Sequence, residues 1–140
     1  MGNNKPLIMF DMLQIINAIK FIESVPKDKI MNQKVAFVTG NEKMSLFIIE
    51  IGQNQSLHAH YHKEGIEIYY VLSGEAILTT GAIMANEEII NNITQSVTVG
   101  DAFSIKPFVV HQITNLKDDK LQILVIAPKN HGIDDRYFVK

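Results

Sequence analysis

Two histidines one residue apart, then a glutamate and a glycine at fixed distances, lie inside strand-forming sequence: His60, His62, Glu67 and Gly74 in HYHKEGIEIYYVLSG. On a strand, side chains at i and i+2 share a face, so His60 and His62 aim two ring nitrogens at one point. Lys63, Glu64 and Gly65 read as a turn that doubles the chain back. Ile66 to Leu72 is rich in β-branched and aromatic residues and reads as a strand. An inward position at its start brings the Glu67 carboxylate to the two histidines. A third imidazole, His111 in PFVVHQITN, follows a turn at Gly100-Asp101 and sits on a strand from Val109 to Thr114. Three imidazoles and one carboxylate form a ligand set for one divalent transition metal. Such a set can close only if several short strands surround one point.

The rest of the chain supplies those strands. Lys34 to Thr39 and Met44 to Ile51 flank Gly40-Asn41-Glu42-Lys43, a hairpin signal. A histidine strand spans Ser56 to His62. Ser73-Gly74 turns into Glu75 to Thr80. Ile83 to Thr94 is less regular, with turns near Ala85-Asn86 and Asn91-Asn92. Gln95 to Val99, Ala102 to Ile105, Val109 to Thr114 and Leu121 to Ala127 complete the set, with Lys117 to Lys120 as a solvated hairpin turn. Many short strands with regular turns predict an all-β sandwich or barrel. One helix precedes them. Asp11 can cap it, Gln14 holds the capping-box position, and Met12, Ile15, Ile16, Ile19 and Ile22 form an apolar stripe that ends before Val25-Pro26. The expected organisation is a tail and a helix packing on the barrel (1–34), a barrel (35–127) and a C-terminal tail (128–140), one domain overall. In that tail His131 reads as exposed and inert, and Asp134-Asp135-Arg136 as a solvated end in preference to a segment folded over the barrel mouth.

These residues resemble the cupin superfamily. Its first motif runs G, five residues, HxH, three or four residues, E, six residues, G. The back of that motif matches His60, His62, Glu67 and Gly74 without a gap. Its second motif, G, five residues, PxG, two residues, H, three residues, N, matches in part through Gly100, Pro107, His111 and Asn115. The glycine of PxG is absent, and Pro107 lies one residue closer to His111 than the pattern has it. The resemblance covers Val35 to Ala127 and implies a jelly-roll (double-stranded β-helix) barrel with a metal site. His58 shares the parity of His60 and His62, and Gly52 with His58-Ala59-His60 satisfies the front of the motif. That register leaves six residues before Glu67, so His60 and His62 are the favoured pair. His58 then belongs to a second shell or a substrate pocket, with Gln112 and Asn115 as further residues there.

The chain has 140 residues, enough for one domain with its own core. With a formal net charge of −2 and no basic run, nucleic acid and anionic membrane are not expected partners. There is no apolar run of membrane-spanning length and no signal-peptide pattern. The absence of cysteine removes disulfides, thiolate metal sites and cysteine nucleophiles, and fits a cytoplasmic protein. The nitrogen and oxygen ligand set suits Fe, Mn, Ni, Co or Zn. Tyr69 has the parity of Glu67 and faces the cavity as a proton donor or as wall, the one catalytic candidate beside the metal. Phe103, Ile105, Phe108 and Met84 are candidate apolar lining. The EIYYVLSGEA stretch is similar to small sugar-isomerase-like cupins, which implies isomerase or epimerase chemistry on a small oxygenated, carbohydrate-like molecule. An Fe(II)-dependent dioxygenase and a non-catalytic small-ligand or metal-binding module are the alternatives. Small cupins commonly form homodimers, through the helix or an edge strand.

Overall fold

A computed structural model describes residues 13–139. Two five-stranded antiparallel sheets pack face to face, the jelly-roll arrangement the motifs imply. The first sheet has the order β1 (Lys34–Gly40), β2 (Ser45–Ile51), β9 (Leu121–Ala127), β4 (Glu67–Ser73), β7 (Ala102–Ile105). The second has the order β10 (Tyr137–Phe138), β3 (His60–Tyr61), β8 (Val109–Asn115), β5 (Glu75–Ile83), β6 (Ile89–Thr98).

The strands follow from the alternation in the sequence. In β4, Glu67, Tyr69 and Val71 are buried while Ile68 and Tyr70 are exposed. In β9, Leu121, Ile123, Val125 and Ala127 point into the core. Strand β2 is buried on both faces. Phe47, Ile49 and Ile51 enter the space between the sheets, while Ile48 turns outward beneath a helix, α1 (Ala18–Ser24). Ile22 of that helix is fully buried against Ala36, Val38 and Ile48.

The helix is shorter than the Asp11 to Ser24 span expected. Asp11 and Met12 lie outside the described residues. Asn17, not Asp11, is the N-cap, its Oδ1 accepting from the Lys20 N–H at 3.0 Å. Leu13 and Ile15 are exposed, and Ile19 is half exposed. Among the described residues of the apolar stripe, Ile22 is fully buried and Ile16 packs partly buried on the same cluster, and a helix this short depends on such packing.

Several turns differ in what they join. Gly74, at φ +88°, and the loop at Lys117–Lys120 each carry the chain from one sheet to the other, so neither is a hairpin. Asn91-Asn92 lies within β6, where Asn91 has a positive φ of 55°. The histidine strand is reduced to His60–Tyr61, preceded by an isolated bridge from Ser56 to Thr114. Phe108 takes φ 64° in the turn where the family motif has its Pro-x-Gly.

The C-terminal segment is part of the fold. A short 3-10 helix (Lys129–Gly132) follows β9, and β10 pairs with β3 through Tyr137 opposite Tyr61 and Phe138 opposite His60. This corrects the expectation of a solvated end at Asp134 to Arg136: Asp135 is buried. The Asp135 carboxylate accepts from the Lys63 N–H at 2.9 Å and the Glu64 N–H at 3.0 Å, which fixes the turn after the histidine pair.

Candidate metal centre

Both sheets contribute to one point at an end of the molecule. Strands β3 and β8 place His60 directly opposite His111. The His62 carbonyl, one residue past β3, accepts from the Phe108 N–H at 2.8 Å. Strand β4 brings Glu67 from the facing sheet. All four side chains are buried. Their ligand atoms lie within 4.8 Å of one another, a buried histidine and glutamate cluster that could hold a metal ion.

Each ring is oriented by a backbone carbonyl. The Nδ1–H of His60 donates to the His58 carbonyl at 2.8 Å, and that of His111 to the Val109 carbonyl at 3.0 Å. His62 Nδ1 is bonded to the Asp135 carbonyl. With Nδ1 occupied in this way, all three rings present bare Nε2 atoms to the centre. His62 Nε2 contacts Glu67 Oε1, and His111 Nε2 lies 3.5 Å from the same oxygen. His62 Nε2, His111 Nε2 and Glu67 Oε1 form no hydrogen bond despite complete burial. Buried polar atoms are normally paired, and a cation among these three would satisfy them together. The residues therefore fit a divalent metal.

The electrostatics agree. Burial, and then the neighbouring His111, push His60 down to about 3, so its ring stays neutral and able to ligate. Burial opposes ionisation of Glu67, but the histidines turned toward it outweigh that effect and hold its carboxyl well below the usual range. Tyr69 is buried on the same face of β4. Burial, reinforced by the charge of Glu67, pushes its phenol well above the ordinary value, so it keeps its proton.

The other expected site residues lie elsewhere. The His58 side chain is exposed and packs beside Phe138, with ring centroids 5.0 Å apart. Only its carbonyl serves the centre, through His60. Gln112 faces away from His111, its Nε2 donating to the Leu57 carbonyl at 3.1 Å. Asn115 is fully buried at the end of β8 and spends its Nδ2 on the carbonyls of Ile51, Gly52 and Asp119. It locks a crossing between the sheets and does not line the cavity. Phe108 and Met84 are about half exposed, and Ile105 is core.

The cavity over the centre is about 40 Å³. Besides His60, His62, Glu67 and Tyr69, its wall is built by Phe47 and Ile49 of β2 and by three residues of the C-terminal segment, His131, Gly132 and Arg136. Arg136 thus takes the less favoured of its two expected places, over the barrel mouth, Gly132 was not anticipated, and the expectation of an exposed His131 is corrected. His131 is buried, its ring stacked on that of His62 at 4.1 Å and 3°. Nothing periodic surrounds it in sequence.

A family model described as a cupin domain matches residues 45–127, more than half of the chain. The chain belongs to the cupin family. This cupin is 34% identical over 88 residues to an uncharacterised protein of Methanocaldococcus jannaschii, covering 63% of this chain. The match spans 61% of that relative's length. Among solved structures, a double-stranded β-helix protein of unassigned function from Klebsiella pneumoniae superposes with a TM-score of 0.68 at 21% identity, covering 91% of this cupin and 98% of that chain. A putative sugar phosphate isomerase from Acidithiobacillus ferrooxidans does so at 0.57 and 24% identity, over 69% of this cupin and 59% of that chain. At such identities the likeness shows the shared fold. Among the described residues, no helix is long and apolar enough to cross a membrane.

Proposed function

We propose that this cupin is a metal-dependent enzyme that binds one divalent transition metal through His60, His62, Glu67 and His111. We propose that it acts on a small oxygenated, carbohydrate-like molecule by isomerase or epimerase chemistry. The supporting observation is the convergence of bare Nε2 atoms and an unpaired carboxylate oxygen, all buried, beside a cavity that His60, His62 and Glu67 line. A bound divalent ion would act there as a Lewis acid, polarising a substrate carbonyl or hydroxyl. The chain supplies the rest. Phe47 and Ile49 make an apolar wall that limits water. Tyr69, held protonated, donates a hydrogen bond to a substrate oxygen. Arg136 lies 3.6 Å from Asp28 and has further N–H donors for a hydroxyl or an anionic group. A cavity of about 40 Å³ has room for roughly three waters. It therefore has room for the reacting end of a substrate, such as an α-hydroxycarbonyl unit, and opens outward beyond it.

The test has two stages. Elemental analysis of protein purified without added metal or chelator, beside the His60→Ala variant, should find near-stoichiometric metal that the variant loses. Proton NMR in deuterium oxide should then show exchange of the hydrogen next to the carbonyl in small α-hydroxy aldehydes or ketones. Full metal occupancy in the variant refutes the site. Oxygen consumption by the iron-loaded protein with no such exchange refutes the isomerase reading and favours the dioxygenase. We place the homodimer contact at the free edge of β6, where Ile90 and Ile93 are exposed. Sedimentation that shows monomer for wild type, or an unchanged dimer for Ile93→Lys, refutes that placement.

A further inference from the structure

Arg136 stands in the cavity wall with most of its donors unused. Its side chain is 10% exposed, and among the described residues that line the cavity it is the one permanently charged cation. Its charged neighbour is Asp28, whose Oδ2 lies 3.6 Å from Nη1, a loose contact. Asp28 does not line the cavity, and its Oδ1 is committed to the N–H groups of Ile30 and Met31. A guanidinium carries five N–H donors in a planar fork. Among the described residues, no other side chain or carbonyl takes up those that remain. A buried polar group is normally paired, and here the free donors border the space beside the candidate metal centre.

The chain holds this residue from both sides. Asp135, before it, is tied to the N–H groups of Lys63 and Glu64, and Tyr137 and Phe138, after it, pair with Tyr61 and His60. Its guanidinium carbon lies 5.3 Å from the centre of the Phe138 ring, and that ring is 5.9 Å from the ring of His60. A long side chain is thus ordered before a ligand arrives, which removes part of the entropy cost of binding. Charge favours an anion. The four candidate ligands contribute one negative charge, so a bound divalent ion leaves the centre positive, and Arg136 adds a second positive group to the same cavity. A planar carboxylate matches the fork of a single guanidinium. A phosphate dianion carries more charge than one Arg shared with Asp28 balances.

We propose that Arg136 is a specificity-determining residue that binds a carboxylate of the substrate, so that the substrate class is a short hydroxy-oxo acid and not a neutral sugar. The inference rests on the proposed function for the reacting end of that molecule. The test is calorimetric titration of the full chain, loaded with Co(II), with hydroxypyruvate and with dihydroxyacetone. Both are α-hydroxy ketones, and they differ in carrying a carboxylate or a CH2OH group beside the carbonyl. Wild type should bind hydroxypyruvate about 10–100-fold more tightly. Arg136→Gln should bring the two within about threefold, with the loss falling on hydroxypyruvate. Asp28→Asn keeps the guanidinium and breaks its ion pair, so it should show a preference at least as large as wild type. Equal binding of the two compounds by wild type, or a preference that survives in Arg136→Gln, overturns the proposal. So does an Asp28→Asn variant that loses the preference as Arg136→Gln does, because Arg136 is then only a tie between the C-terminal segment and Asp28. Dihydroxyacetone phosphate binding more tightly than hydroxypyruvate, with the excess lost in Arg136→Gln, overturns carboxylate as the anion. Proton exchange in deuterium oxide separates this inference from the reading beneath it. If wild type exchanges dihydroxyacetone yet binds both compounds equally, this inference fails and the isomerase reading stands. If it favours hydroxypyruvate through Arg136 but exchanges neither, the isomerase reading fails and the carboxylate subsite stands.

Discussion

Asp135→Ala should destabilise the metal-free protein by about 2 kcal/mol. The Asp135 carboxylate is 6% exposed as a residue and makes two hydrogen bonds, to Lys63 N at 2.9 Å and Glu64 N at 3.0 Å. Hydrogen bonds to a charged group contribute about 1.5–3 kcal/mol each. The lower end applies, because Lys63 and Glu64 are exposed and their N–H groups regain water once the carboxylate is gone. The two bonds together are then worth roughly 3 kcal/mol. The desolvation cost of the carboxylate is recovered in the variant and takes back about 1 kcal/mol of that. For a chain of this size the remaining 2 kcal/mol lowers Tm by roughly 8 °C. Asp135→Asn keeps one acceptor oxygen and should lose about half as much. Urea unfolding of the apo proteins at pH 7 measures both. A loss below about 0.5 kcal/mol in the alanine variant, or an asparagine variant as unstable as alanine, would refute the assignment of the two bonds as the main contribution.

Three other outcomes are expected. Asp28 accepts from the N–H groups of Ile30 and Met31 and pairs with Arg136 at 3.6 Å. Burial raises its carboxyl, but these donors and the guanidinium outweigh it and hold the group below the usual 3.8. A depressed folded value means stability that is present above 3.8 and lost as pH falls through that lower value. Asp28→Asn keeps the acceptor oxygen and removes the charge, so it should cost about 0.5 kcal/mol at pH 7, a difference that disappears in acid; a pH-independent gap in unfolding experiments would contradict this. Gly74→Ala must adopt φ +88° with its Cβ 3.1 Å from Leu121 Cα, and should lose about 2 kcal/mol in thermal unfolding; stability equal to wild type would show that this crossing has no need of glycine. Tyr69→Phe should leave dye-competition metal affinity within about twofold and lower turnover about 100-fold, and unchanged turnover would remove Tyr69 from the chemistry.

The fold and the centre were legible in the sequence to different depths. The i, i+2 spacing of His60 and His62, and the inward parity of Glu67, are properties of single strands, and a single strand's faces are fixed by a period of two. The pairing of His60 with His111 joins residues far apart in sequence, yet both positions carry the same local signal. Turn chemistry was less informative about destination. Gly74 and Lys117 to Lys120 read correctly as chain reversals, but a reversal within one sheet and a crossing between two sheets use the same residue types. The helix start was misplaced for a similar reason. Periodicity marked an apolar stripe from Met12, while among its described residues only Ile22 finds a full socket on β1 and β2. Asn17, at the point where packing begins, takes the cap.

His131 failed a different test. A histidine three residues past Pro128, in a segment without apolar period, carries no local sign of burial. Its position is decided by three distant partners: Glu64 for Nε2, His62 for the face of the ring, and Gly65 for the space. Those partners all sit in the turn between the histidine pair and Glu67, the same turn that Asp135 ties down. One short stretch, His62 to Glu67, therefore presents two candidate metal ligands on one side and receives the C-terminal segment on the other. A change to the segment must be felt at His62, whose Nδ1 has the Asp135 carbonyl as its partner. Gly132, Arg136 and His131 of the cavity wall lie outside residues 45–127 that the family model matches. The four candidate ligands lie within the matched residues, as do Phe47, Ile49 and Tyr69 of the cavity wall. Under the proposed function, substrate preference should accordingly respond to exchanges at 132 and 136, while metal retention follows 60, 62, 67 and 111.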